Sequence, residues 1–268
     1  MLTDFYAHVP PRCDSPAFIP APLPVRPIRP NARMTSLNPS DAARTSSSVL
    51  PSPPPPTDSE AIQSLCRFFG VGAPAPVLAS QLSRTHDLAL LGIPSSARPT
   101  HVLAVYDAPN PDPHVLVTLI PVDLDLVSRR MRPDVFNHAR PVTSPARSER
   151  PANPRALTVP VIPMHVPHAS SAPLVLLFAL GVRSELSDLV SSLLPVPAVE
   201  EWPAVPASAR ALAGCCDAEE LARRTTFNQG VWKNVLVFGP QDERIMGVVQ
   251  FVWNVTSEAR KISSEKRR

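Results

Sequence analysis

His101-Val102-Leu103-Ala104-Val105-Tyr106-Asp107, the turn Ala108-Pro109-Asn110-Pro111-Asp112-Pro113, and the run from His114 to Pro121 decide how this chain is read. Two apolar, β-branched-rich runs parted by a proline, asparagine and aspartate turn predict an antiparallel hairpin. Three prolines make that turn longer than a two-residue one. Ala156 to Ile162 has the same character and predicts a further strand. Helical patterns surround these strands, so the expected fold class is α+β. The expectation is a small antiparallel sheet, hairpin plus at least one strand, packed on both sides by short helices.

Upstream of the hairpin, Thr57-Asp58-Ser59-Glu60 forms a capping box in which hydroxyl and carboxylate satisfy orphan N–H groups. The helix it opens presents Ile62, Leu65, Phe68 and Phe69 to a core and stops at Gly70. A second short helix is expected over Pro76 to Leu82, and a third over His86 to Leu91, ending at Gly92. Downstream, Asp123 and Asp125 could ligate a hard cation, but no glycine-centred calcium loop accompanies them. They are read as a solvated helix start. Residues 129–154 read as a mobile insertion opened by the basic cluster Arg129-Arg130-Met131-Arg132. Ser144-Pro145, like Ser15-Pro16 and Ser52-Pro53, matches the proline-directed phosphorylation dipeptide. Met164-His165-Val166-Pro167-His168 offers two histidines without a third ligand nearby, and the intervening proline argues against a helix that would align them. Ala172 to Gly181 is apolar throughout and predicts a buried helix, whereas Ser184 to Leu194 is amphipathic with Leu186, Leu189, Val190 and Leu193 inward. Residues 195–206 read as a proline-rich linker.

The 36 prolines stand against only 8 glycines in 268 residues. Each proline fixes φ and removes a backbone donor, so long helices and central strands are excluded where prolines cluster. Residues 1–56 hold such clusters and are expected to be a disordered proline-rich arm with polyproline II character. That arm reads as a solvated tail before it reads as a ligand for proline-recognising domains. A single domain is expected over residues 57–262, followed by a basic tail at 263–268 that reads either as a frayed helix end or as a nuclear address. The formal net charge of +3 gives no concentrated nucleic-acid-binding face, so direct nucleic-acid binding is not expected. Cys13, Cys66, Cys215 and Cys216 show no metal spacing. The adjacent Cys215-Cys216 pair reads as two small apolar residues at a helix entrance. Residues 1–11 lack the basic start and apolar run of a signal peptide, and no apolar run is long enough to span a bilayer. The chain is therefore expected to be nuclear or cytoplasmic and not secreted.

The C-terminal block runs from Asp217 to Arg260 and reads as two or three short helices. Asp217 caps the first, with Glu220 in the box position and Leu221 inward. Asn228 is taken to cap the next, which buries Val231, Trp232, Val235 and Leu236 and ends at Gly239. The last starts near Asp242, with Ile245, Val248, Val249, Val252, Trp253 and Thr256 facing inward. Gly230-Val231-Trp232-Lys233-Asn234-Val235, Gly239, Asp242-Glu243-Arg244 and Trp253 resemble the C-terminal region of the clampless-type proteins of basidiomycete fungi, which act in sexual development. The two hairpin strands, Ala156 to Pro167 and Leu193-Leu194-Pro195 are similar to further segments of that family. Phe178-Ala179-Leu180-Gly181-Val182-Arg183 departs from it, standing where such proteins carry an aromatic-basic segment.

The resemblance implies a role and brings no catalytic motif. The chain itself has no GxSxG, no phosphate-cradling glycine loop and no HExxH. The expectation is a non-catalytic regulatory or adaptor protein without a cofactor, working through protein partners such as mating-pathway transcription factors. Trp232, Lys233, Asn234, Asp242, Glu243 and Arg244 are the candidate partner-binding residues. An enzyme whose site is assembled from residues distant in sequence stays open as the alternative.

Overall fold

In the computed structural model, described over residues 58–92, 97–107, 112–135 and 155–266, the two strands pair antiparallel as expected. Strand β3 (His101–Tyr106) pairs antiparallel with β4 (Leu116–Val122), His101 facing Val122 and Val105 facing Thr118. The sheet is larger than expected, and mixed. Five strands lie in the order β1-β4-β3-β5-β2, with β1 at Val77–Leu78, β2 at Thr85–Ala89 and β5 at Ala156–His165. β5 runs parallel to β3, Val102 beside Val161 and Tyr106 beside His165, so the purely antiparallel sheet is corrected.

Both helices expected between Pro76 and Leu91 are absent from the fold. β1 and a single 3-10 turn (Ala79–Gln81) occupy the first stretch, and β2 occupies the second. β2 pairs antiparallel with β5 on one side, Thr85 to Pro160 through Ala89 to Ala156. On its other side Gly72 N donates to Ala89 O at 2.8 Å and Leu91 N to Gly70 O at 3.0 Å. Ladder partners on both edges outweigh a short helical pattern, because strand preference is set mainly by neighbours.

The two sheet faces bury different sets. Leu103, Val105, Ile120, Val122, Ile162 and Met164 face the main core, together with helix α2 (Leu124–Arg130) and the helices that follow it in the chain. Val102, Ala104, Val117, Leu119 and Val159 face a smaller core, closed by Cys66, Phe69, Val71 and Leu88. Helices therefore cover one face, and the end of α1 (Asp58–Phe68) with the strand edges closes the other. Gly70 takes φ 67°, a left-handed conformation that ends α1 where the sequence places its stop. Ile62 and Phe68 are half-buried, Leu65 and Phe69 buried.

α3 (Ala172–Ala179) is buried at every residue, and α4 (Leu186–Leu193) buries Leu189, Val190 and Leu193, both as expected. The linker at 195–206 is partly helical: α5 covers Val196–Val199 and α6 (Val205–Cys215) opens within it, each with proline in its first turn, where a missing N–H costs nothing. α7 (Ala218–Phe238) and α8 (Glu243–Glu265) run 21 and 23 residues, so the C-terminal helices are long and the basic residues up to 265 belong to α8. α8 packs against α4, α6 and α7. At the insertion's start, Arg129 and Arg130 end α2 and Met131 is fully buried. The proline-rich arm, Thr57, the turn at 108–111, Ser144-Pro145 and Arg267-Arg268 lie outside the described residues.

Phe69 is 1% exposed in the smaller core. Phe69→Ala is expected to destabilise by about 3–5 kcal/mol in urea unfolding. A loss below about 1 kcal/mol would mean that the end of α1 does not close that face.

Candidate functional site

The C-terminal block folds into a helical hairpin, α7 and α8, and four of its signature positions, Gly230, Val231, Asn234 and Val235, are buried. Asp217 accepts from Glu220 N at 2.8 Å and starts α7, as expected. The helix then runs unbroken past Asn228. That residue is no cap: buried between the helices, its Nδ2 donates to Thr256 Oγ1 at 3.1 Å, and Thr256 in turn donates to Val252 O at 2.7 Å. A cross-helix partner lets asparagine sit mid-helix, where its side chain would otherwise compete for the backbone.

Gly230 and Asn234 lie one turn apart and hold the segment from His168 to Ser171, which leads into α3. A Cβ at Gly230 would lie 2.5 Å from His168 Nδ1 and 2.8 Å from its Cβ, so only glycine admits the imidazole against α7. The ring packs edge-on to Phe227 at 5.9 Å between centroids and meets Ser171 Oγ at 2.9 Å through Nδ1. Asn234 Nδ2 donates to His168 O at 2.6 Å and to Ser171 Oγ at 2.9 Å. Asp107, at the end of β3, completes the tie: its carbonyl oxygen meets His165 Nε2 at 2.9 Å and its carboxylate accepts from Ala169 N. His165 and His168 are thus positioned by the fold, and among the described residues no three His, Cys, Asp or Glu side chains gather.

The turn between α7 and α8 docks on the end of α2. Gly239 takes φ 53° and caps α7, and a Cβ there would come within 2.9 Å of Arg132 Cβ. Arg132 N donates to Phe238 O at 3.2 Å, and Gln241 N to Arg130 O at 2.9 Å. Asp242 caps α8 by accepting from Arg244 N at 3.1 Å, and it pairs with the Arg244 guanidinium at 2.9 and 2.8 Å. That guanidinium holds the Asp242 carboxyl below the usual carboxylate range.

Of the six candidate residues, the structure withdraws Asn234 from any partner surface, because it is fully buried and bonded internally. Asp242 is half-buried and engaged with Arg244; Glu243 and Arg244 are exposed at the start of α8. Trp232 is half-buried against the main core and Lys233 is exposed. The sequence reading missed Leu236, which it had placed inside. Leu236 is 48% exposed, one turn beyond Lys233 on the same side of α7. The buried positions of α7, Arg224, Asn228, Val231, Val235 and Phe238, follow the helical period, and that period leaves Leu236 outside.

The vicinal thiols sit where α6 meets α7, so Cys215 ends one helix rather than opening the next. Their sulfurs are 3.8 Å apart and both residues are half-buried. The hydrogen bond from Cys216 lowers the Cys215 thiol to about 7 and pushes Cys216 up. Glu220 clamps the buried Arg224 at 2.5 Å and also pairs with Arg223. Burial pushes the Cys66 thiol up to about 12.

This is an α+β protein whose marked C-terminal block is a helical hairpin anchored to the 168–171 segment and the end of α2 by a glycine, an asparagine and a capped turn. Residues 187–268, from α4 to the end of the chain, match the sequence model of the Clampless protein 1 C-terminal domain. The C-terminal region is accordingly similar to that domain. The match covers less than half of the chain, and the similarities at 101–121 and 156–167 lie outside it. No curated protein and no solved structure matches.

Two outcomes check this geometry. Alanine is the better helix former by about 1 kcal/mol. Gly230→Ala is nevertheless expected to destabilise by about 1–3 kcal/mol through overpacking on His168, and His168→Ala in the same chain is expected to restore part of that loss. A stabilising Gly230→Ala would refute the docking of His168. Second, among the described cysteines alkylation by iodoacetamide is expected to fall first on Cys215. Its rate at Cys215 should rise through pH 7 as the thiol loses its proton, be suppressed at pH 5, and leave folded Cys66 unmodified at pH 8.

Proposed function

We propose that the protein is a non-catalytic adaptor of fungal sexual development that works through protein contacts made by the outer side of α7. One observation carries the reading: the hairpin uses its inward signature residues for packing, yet leaves Leu236 48% exposed beside Lys233 and the half-buried Trp232. An exposed apolar side chain flanked by an aromatic ring and a cation has the composition of an interface anchor. The family match supports a developmental role. Mating-pathway transcription factors are the proposed partners and the nucleus the proposed site of action. Exposed Arg260, Lys261 and Lys266 at the end of α8 support a nuclear address. Among the described residues no helix is long and apolar enough to cross a membrane.

The experiment is affinity purification of the tagged chain from mating fungal cells, with nuclease treatment, alongside a Lys233→Glu/Leu236→Asp variant. Both side chains are exposed, so the variant is expected to unfold within about 0.5 kcal/mol of the parent while losing the proteins the parent retains. Transcription regulators retained by the parent and lost by the variant support the reading. A parent that retains metabolites and no protein overturns it in favour of an enzyme.

A further inference from the structure

Four arginines from three distant parts of the chain converge on one cleft of about 430 Å³. The end of α2 supplies Arg129 and Arg130, the turn after α3 supplies Arg183, and the first turn of α8 supplies Arg244. Buried Phe178 and Ile245 add apolar wall, and among the described residues Asp242 is the only carboxylate in the lining.

Like charges brought together cost free energy unless something answers them, and the answers inside this fold fall short. Asp242 is engaged by Arg244 through two hydrogen bonds, at 2.9 and 2.8 Å, and also attracts Arg130, while Glu185 attracts Arg244 without forming an ion pair. Arg183 has Glu60 at 3.6 Å in a solvent-facing pair, an arrangement of small worth. Among the described residues neither Arg129 nor Arg130 pairs with a carboxylate; Arg129 Nε donates to Asp125 O at 3.1 Å.

Two structural explanations for the arginines fail. They are not needed to cap α3, because its last carbonyls already accept backbone N–H groups. Leu180 N reaches Leu176 O at 2.9 Å, Gly181 N reaches Phe178 O at 2.9 Å, and Val182 N reaches Leu177 O at 3.1 Å. A favourable dipole at the end of α2 would explain one or two cations there. It does not explain why Arg183 and Arg244 face the same space.

We propose that this cleft binds a phosphate dianion, free or as a monoester. Guanidinium forks match phosphate oxygens with paired N–H donors, and four of them suit a doubly charged group with three oxygens better than a single carboxylate. The ligand is either a free phosphate or a phosphorylated serine or threonine side chain, which share that chemistry. The site does not depend on the adaptor reading and uses neither Lys233 nor Leu236.

The test is calorimetric titration of the full chain at low salt with three probes. These are inorganic phosphate, a phosphoserine peptide, and the same peptide unphosphorylated. The comparison proteins are Arg129→Gln/Arg130→Gln and, as a control removing equal charge elsewhere, Arg260→Gln/Lys261→Gln. Phosphate-dependent binding is expected, weakened about tenfold or more in the first variant and within about twofold in the control. A phosphopeptide tighter than inorganic phosphate assigns the ligand to a phosphorylated side chain, and the reverse assigns it to a free phosphate. Absence of phosphate-dependent binding, or an equal loss in both variants, overturns the proposal. If the first variant lowers the thermal midpoint, Arg244→Gln carries the same comparison.

Discussion

Helix α3 is apolar on all sides, and that constraint arranges the rest of the molecule. A helix without a polar face cannot lie on a surface and has to be walled in completely. Its eight residues are buried, and the walls come from distant parts of the chain: α1 against one side, the 169–171 turn and α7 against another. Leu103, Val105, Ile120 and Val122 on the hairpin belong to the same core. Once α3 is enclosed, the 168–171 segment that leads into it has a fixed position. That position is where α7 must dock.

The residue pattern of the C-terminal block follows from this docking. Gly230 yields space to the His168 ring, and Asn234 supplies two donors to the segment's polar groups. Asn234 Oδ1 finds no donor among the described residues, so the amide stabilises the docking through its NH₂ group alone. Gly239 provides the left-handed turn that drops the chain onto Arg132, and Asp242 restarts the helix. These positions constrain packing and capping, which is why the signature contains no reactive constellation.

Reading the sequence recovered what alternation and helical period encode. The β3–β4 hairpin, the buried α3, the inward face of α4, the cap at Asp217, the stop at Gly239 and the start of α8 near Asp242 were all legible because each is set by neighbouring residues. The parallel partnership of β5 with β3 was not, since a strand's direction depends on the route of the intervening chain. β2 was misread because its hydrogen bonds come from both flanks, and no local pattern encodes them. Asn228 was read as the cap of a separate helix, yet Thr256 and His168 stabilise an unbroken α7 from outside it. Gly230 could be recognised as unusual in a helix, but its reason lies on another element. Leu236 was placed inside by its apolar character, and the period of Val231, Val235 and Phe238 places it outside.

The end of α2 shows how structural and functional demands separate within a few residues. The fold needs the backbone there: Arg130 O accepts from Gln241 N, Arg132 N donates to Phe238 O, and Met131 fills the core. Backbone bonds of that kind can be made by almost any residue, so they place no demand on the side chains at 129 and 130. The same bonds hold α2 against the α7–α8 turn, which keeps both walls of the cleft in register before any ligand arrives. Fixed walls reduce the ordering cost of binding, although the guanidinium stems still have to settle. What remains unexplained by folding is therefore the charge itself, and an anionic ligand is the simplest physical account of it.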